Sequence, residues 1–225
     1  IFAPAGMTRS ASGDHTRLND REYEGGAVLA TGYEFSEDGV LVPVHGYSLS
    51  VYGGAAGLVS TPADLLRWDR ALRTPNLILS QASLDEMFRA AESPTVHSGK
   101  YGLGWIVSQE RGQTMVGHPG GVAGFNAAIA RYLGDGITVL AIANTEAIDC
   151  RNVLDALSAI AHGEPALELF VGGVADSMRS PATVVDSVKS GLGDIRETAV
   201  DVGRNMVGVL SAAATVVRPP AARPL

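Results

Sequence analysis

The residues best suited to chemistry lie in one short stretch, His118-Pro119-Gly120-Gly121, within the nonapeptide GHPGGVAGF at 117–125. An imidazole titrates near neutrality and can take up or release a proton. Two glycines without a Cβ let another molecule come close to the backbone. Their amide N–H groups can then bind negative charge developing on an oxygen. His118 is therefore the catalytic candidate, and Gly120 and Gly121 are the oxyanion or substrate-binding candidates. The plainer alternative is a glycine-rich turn carrying a solvated histidine.

Other chemistries find less support. His15, His45, His97, His118 and His162 show no pairing at ligand spacing, so no metal is assigned. The glycines at 102–104 and 117–124 do not fit dinucleotide or phosphate-loop fingerprints, and no cofactor is assigned. Cys150 is the sole cysteine, so an internal disulfide is impossible and a buried, inert thiol is expected. Asp64 and Asp69 fall on a helix, where capping and surface roles account for them. Trp68 and Trp105 read as core or rim aromatics. The net charge of −7, with only Lys100 and Lys189 as lysines, argues against a nucleic-acid partner. The longest apolar run near the end, 207–217, is too short to span a bilayer. The compartment is left open.

The elements that must position the stretch follow from pattern. Strands are expected at 101–107 (YGLGWIV), 114–116, 126–133 and 137–143, the last two joined by Gly134-Asp135-Gly136. The histidine then lies next to a strand end. Upstream, 28–35 and 40–44 flank Ser36-Glu37-Asp38-Gly39, a hairpin signal. Thr61-Pro62-Ala63-Asp64 starts a helix running to about Leu72, with a capping residue, a proline at the first helical position and an acid near the positive end. A second helix is expected over 80–92 with a Ser83/Glu86 capping box, and a third over 153–161 ending near Gly163. Ile1–Met7 reads as the end of a helix entering a loop, and the chain is expected to begin partway through a longer product. Beyond Glu164 the composition changes, and 194–217 carries apolar residues at spacings of three and four that predict a long amphipathic helix.

The order of these pieces resembles the C-terminal portion of the serine β-lactamase and D-alanyl-D-alanine peptidase (penicillin-binding-protein-like) superfamily, in its class C β-lactamase-related branch. IFAPAGM at 1–7 is similar to the segment after that branch's second catalytic motif. GGAAGLVSTPADLLRWDRAL at 53–72 is similar to its glycine-rich turn and following helix. YGLGWIV, GHPGG and GF are similar to its third-motif strand and the next, and ITVLAIAN at 137–144 to its last sheet strand. The resemblance covers roughly the first 160 residues; residues 164–225 match nothing comparable.

The resemblance implies an α+β fold, an antiparallel β-sheet flanked by helices, with a helical C-terminal tail added. It implies two parts: 1–163, the C-terminal portion of a serine hydrolase domain, and 164–225, a helical appendage. It implies acyl transfer through a serine, with a small-molecule ester or amide substrate. His118-Pro119-Gly120 would be the third motif, His118 would tune or relay protons, and Gly121 N–H would be one oxyanion donor. Neither Lys100 nor Lys189 completes a Ser-x-x-Lys motif, and none of the six tyrosines has an Asn two residues on. The nucleophile is thus expected on an N-terminal segment or companion chain, and this chain alone is expected to be inactive. Pro119 stands where relatives often carry a hydroxyl, which leans toward an esterase or other amide or ester hydrolase rather than β-lactam recognition. The competing reading is a catalytically inactive scaffold or interaction module.

Overall fold

The computed structural model describes residues 1–12, 30–44, 49–92, 100–164, 197–201 and 212–217. Its centre is an eight-stranded antiparallel sheet, ordered β11-β12-β10-β9-β8-β7-β6-β5. In chain order its strands are β5 (Ala91–Glu92), β6 (Lys100–Tyr101), β7 (Ile106–Glu110), β8 (Gln113–Val122), β9 (Phe125–Tyr132), β10 (Thr138–Ala143), β11 (Glu197–Asp201) and β12 (Ala212–Val217). Two small ribbons stand apart from it, β1 (Ala11–Ser12) with β4 (Leu58–Val59) and β2 (Tyr33–Phe35) with β3 (Leu41–Pro43). The architecture is the α+β class expected.

Alternation of side chains across the sheet gives it two apolar faces. Val139, Ala141 and Ala143 of β10 join Ala128, Ala130 and Tyr132 of β9 on one face, which α4 (Cys150–Ala161) covers with Val153, Leu154 and Leu157. Leu140 points the other way and meets Leu66 of α2 (Pro62–Arg73). Val107 and Val116 lie on that second face with Trp105, with Leu72 of α2 and with Leu84 of α3 (Gln81–Met87). Full burial of a Val or Leu side chain contributes about 1.5–3 kcal/mol, so these faces hold the sheet between its helices.

The caps show why the helices start where they do. Thr61 accepts a hydrogen bond from the Asp64 backbone N–H at 3.2 Å, with Pro62 in the first turn. Asp149 caps α4 by accepting from Arg151 N–H at 2.9 Å. For α3 the cap is Ser80, which accepts from Ser83 N–H at 3.2 Å, and not Ser83 itself. That helix ends at Met87, because Ala91 and Glu92 leave it to pair with Tyr101 and Lys100. The short α1 (Phe2–Ala5) ends on Gly6 in the left-handed region, as a helix entering a loop should.

Three expectations are corrected. The strand over 101–107 is broken: Tyr101 and Ile106 pair with each other, and 102–105 turn between them. The long helix over 194–217 is replaced, where it is described, by β11 and β12. β12 hydrogen-bonds along the whole of β10, from Thr138↔Val217 to Ala143↔Ala212. A short apolar run rich in Val, Thr and Ala suits a strand or a buried helix equally by periodicity, and the open edge of β10 decides it. Finally, the strand expected over 114–116 runs on to Val122, so His118-Pro119-Gly120-Gly121 lies within β8 and not beyond a strand end. The hairpin expected over 28–44 forms at 33–35 and 41–43; residues 28 and 29 lie outside the described residues.

Candidate active site

β8 is paired on both sides for only half its length. β9 follows it from Met115↔Tyr132 to Val122↔Phe125. β7 pairs only from Glu110↔Gln113 to Ile106↔Gly117. From His118 to Val122, no described strand pairs with the side away from β9.

Pro119 fixes which groups face that side. A proline has no N–H and cannot form a hydrogen-bonded antiparallel pair, so Pro119 and Ala128 are a non-hydrogen-bonded pair. Pairs alternate, so Gly121 and Asn126 are of the same kind. The Gly121 N–H and C=O therefore point away from β9, toward the uncovered side. No atom within 4 Å would meet a Cβ at Gly120, and a Cβ at Gly121 would find only the Asn126 side chain and the Phe125 carbonyl at 3.8 Å. His118 and Gly120 share the α2/α3 face of the sheet with Val116, and all of His118, Gly120 and Gly121 are exposed. The structure thus brings the three candidates together on one strand, with His118 exposed and a backbone donor presented three residues on.

The tip of the β8–β9 hairpin is held firmly. Gly124 has φ 77°, and its N–H donates to Glu146 Oε1 at 2.8 Å. Gly32 packs against it so closely that a Cβ at Gly32 would lie 2.5 Å from the Phe125 ring. Tyr33 N–H reaches the carbonyls of Gly124 and Asn144, at 3.3 and 3.0 Å. The β2–β3 ribbon and the loop after β10 therefore fix the end of the strand that carries the site.

Tyr101 escaped sequence reasoning. Its hydroxyl lies 2.8 Å from His118 Nε2, and the two rings meet edge-on with centroids 5.8 Å apart. His118 Nδ1 lies 2.6 Å from the Pro119 carbonyl. The contact joins residues 17 apart, and only the pairing of Tyr101 with Ile106, and of Ile106 with Gly117, would have revealed it.

Asp64 and Asp69 are fully buried rather than at the surface. Asp69 accepts from Arg73 Nε (2.7 Å), Arg131 Nε (2.7 Å) and Thr138 Oγ1 (2.8 Å), which clamps α2 to β9 and β10. Burial pushes its carboxyl up, but the hydrogen bond and charge of Arg73 and the charge of Arg131 outweigh this and hold it below the ordinary value. Arg131 also lies over the Phe88 and Trp105 rings at 5.3 and 5.9 Å. Asp64 accepts from the Arg9 N–H and the Ser10 hydroxyl, both at 2.7 Å, and ties the start of the chain to α2. Both are structural. Trp105 is core and Trp68 packs at its margin. Cys150 is buried, with its thiol pushed up to about 12 by burial and the neighbouring Asp149 charge, so it offers no thiolate nucleophile. Among the described residues no three His, Cys, Asp or Glu side chains are grouped to hold a metal ion, and no helix is long and apolar enough to cross a membrane.

The fold corresponds to one class of protein. Residues 1–162 match the family model described as Beta-lactamase, and the chain belongs to that family. Penicillin-binding protein 4* of Bacillus subtilis (strain 168) is 30% identical over 158 residues, 65% of this chain and 33% of that protein. The structure of D-amino acid amidase from Ochrobactrum anthropi SV3, complexed with L-phenylalanine amide, is 26% identical with a TM-score of 0.55, over 72% of this chain and 49% of that one. The octameric penicillin-binding protein homologue from Pyrococcus abyssi shares the fold with a TM-score of 0.63 at 21% identity, over 92% of this chain and 47% of that one. The chain therefore spans a third to a half of the length of these relatives.

Proposed function

We propose that this chain forms the histidine-and-glycine wall of a serine hydrolase site that transfers acyl groups from small amides or esters. The observation that carries the reading is the edge of β8 that no described strand covers, where exposed His118 lies three residues before an outward-facing Gly121 N–H. A substrate carbonyl laid against that edge meets a preset donor. When a serine oxygen attacks its carbon, the π electrons move to the carbonyl oxygen, and the Gly121 N–H donates to the resulting oxyanion. Collapse expels the amine or alcohol, which takes a proton as it leaves, and water then releases the acyl group from the serine. His118 helps to hold and move those protons. The amide-bound amidase relative supports an amide substrate, and Pro119, with no side-chain donor, suits an uncharged acyl group better than a carboxylate. The nucleophile comes from residues outside these 225, either an N-terminal segment or a companion chain.

The test uses the longer polypeptide in which this chain follows the residues encoded upstream of it. It should label on a serine with a fluorophosphonate probe and hydrolyse amide or ester substrates, whereas the 225-residue chain by itself should not label. His118→Ala should lower kcat by about 10²–10⁴-fold, the usual range for a lost acid–base group. His118→Lys should keep part of the activity. Near-native turnover in both variants would reduce His118 to a strand residue, and a longer polypeptide with no reactive serine would favour the scaffold reading.

A further inference from the structure

We propose that Tyr101 is a positioning residue for His118: its hydroxyl fixes the imidazole in the Nδ1–H tautomer and holds the ring against the open edge of β8. The assignment begins with the other nitrogen. A carbonyl oxygen only accepts, so at 2.6 Å from the Pro119 carbonyl, Nδ1 must carry the hydrogen. In the neutral ring Nε2 is then bare, and the group facing it at 2.8 Å is the Tyr101 hydroxyl, which donates. Both ring nitrogens are thereby engaged. Pro119 takes part because its carbonyl faces away from β9, the same geometry that turns the Gly121 N–H outward.

Tyr101 is itself held in place from behind. The Leu103 N–H donates to the Met87 carbonyl at 2.9 Å, and the Gly102 N–H to the Trp105 carbonyl at 2.7 Å. Trp105 is buried and meets Phe88 edge-on with ring centroids 5.6 Å apart. The end of α3 therefore sets the turn, the turn sets Tyr101, and Tyr101 sets His118. In this arrangement the Nε2 lone pair does not meet substrate directly. A proton entering or leaving Nε2 passes by way of the tyrosine hydroxyl, and when His118 is doubly protonated, Nε2–H donates to the same oxygen. The contact survives in both states, so the ring keeps its orientation while its charge changes.

The role given to Tyr101 rests on reading His118 as part of an acyl-transfer site; the tautomer does not. Long-range ¹H–¹⁵N correlation spectra of the uniformly labelled 225-residue chain at about pH 8, above the ordinary histidine range, read the tautomer with no substitution. His118 should show a protonated Nδ1 and an unprotonated Nε2. Tyr101→Phe, which keeps the ring and removes only the hydroxyl, should shift the balance toward Nε2–H. In the longer, active polypeptide it should lower kcat roughly 10–100-fold with KM little changed, the range seen when a group that orients another is lost. A wild-type His118 in the Nε2–H form, or one whose tautomer Tyr101→Phe leaves unchanged, overturns the proposal even if His118→Ala abolishes turnover. If the tautomer shifts as expected while His118→Ala leaves turnover intact, the functional reading has failed, and the positioning role fails with it.

Discussion

Single residues divide here into those whose chemistry can be read from type and those whose role depends on partners far along the chain. His118, Gly120 and Gly121 belong to the first group, since a histidine followed by residues without Cβ is informative wherever it folds. Asp69 belongs to the second. Its position on a helix suggested the surface, and only the return of Arg131 and Thr138 from β9 and β10 puts it in the interior. Asp69→Asn should cost about 3–5 kcal/mol, because it leaves the buried Arg131 guanidinium and the half-buried one of Arg73 without their counter-charge. Urea denaturation measures this, and a change below about 1 kcal/mol would mean that the cluster is not an energetic clamp. Its acid dependence has a definite sign. The folded carboxyl lies below its ordinary value, so Asp69 binds its proton less readily in the fold than in the unfolded chain. Its contribution is complete above the ordinary carboxylate range, near about pH 4, and is lost as the pH falls through the lower folded value. The wild-type chain should lose stability with acid in that window, and Asp69→Asn should lose it less steeply.

At the level of elements, the cap of α2 and the hairpin turns were legible because the residues that mark them also form them, whereas α3 is capped by Ser80 and not by Ser83. Thr61, with Pro62 and Asp64 after it, is both the signal and the cap of α2. The glycines were less transparent, since the sequence does not distinguish one that makes a turn from one that makes room. YGLGWIV has the apolar content of a continuous strand, yet Gly102 exists for a close approach: a Cβ there would lie 2.4 Å from the Met87 carbonyl oxygen. Proline and glycine usually interrupt pairing, so HPGG reads as following a strand end, but from His118 on no described strand pairs with β8 on its β7 side, and there they are tolerated. The two glycines should respond differently to the same change. Gly102→Ala should destabilise the chain by about 1–3 kcal/mol, as overpacking against fixed backbone does, and should displace the Tyr101 hydroxyl from His118. Gly120→Ala, with open space around the new methyl, should stay within about 0.5 kcal/mol of wild type. Equal losses in denaturation would refute this division of labour.

For the molecule as a whole, the family and the α+β architecture follow from the order of pieces in residues 1–162, while the tail was misread because its partner was not considered. β12 covers the edge of β10, which would otherwise present a row of unpaired N–H and C=O groups. The division of the chain after residue 163 stays a proposal that truncation can test. Removing 164–225 should lower the denaturation midpoint and make the shortened chain associate in a concentration-dependent way by ultracentrifugation. A monomer with an unchanged midpoint would make the tail the appendage that its composition suggests. The open half of β8 raises the same hazard, and Pro119 answers it. A strand from another molecule seeks a regular series of donors and acceptors, but here Pro119 has no hydrogen to give and its carbonyl is already taken by His118. What is left is one amide and one carbonyl at Gly121. That is enough for a single small acyl group and too little to seed a β-aggregate, so the proline that interrupts the motif also keeps this sheet edge from pairing with the edges of other molecules.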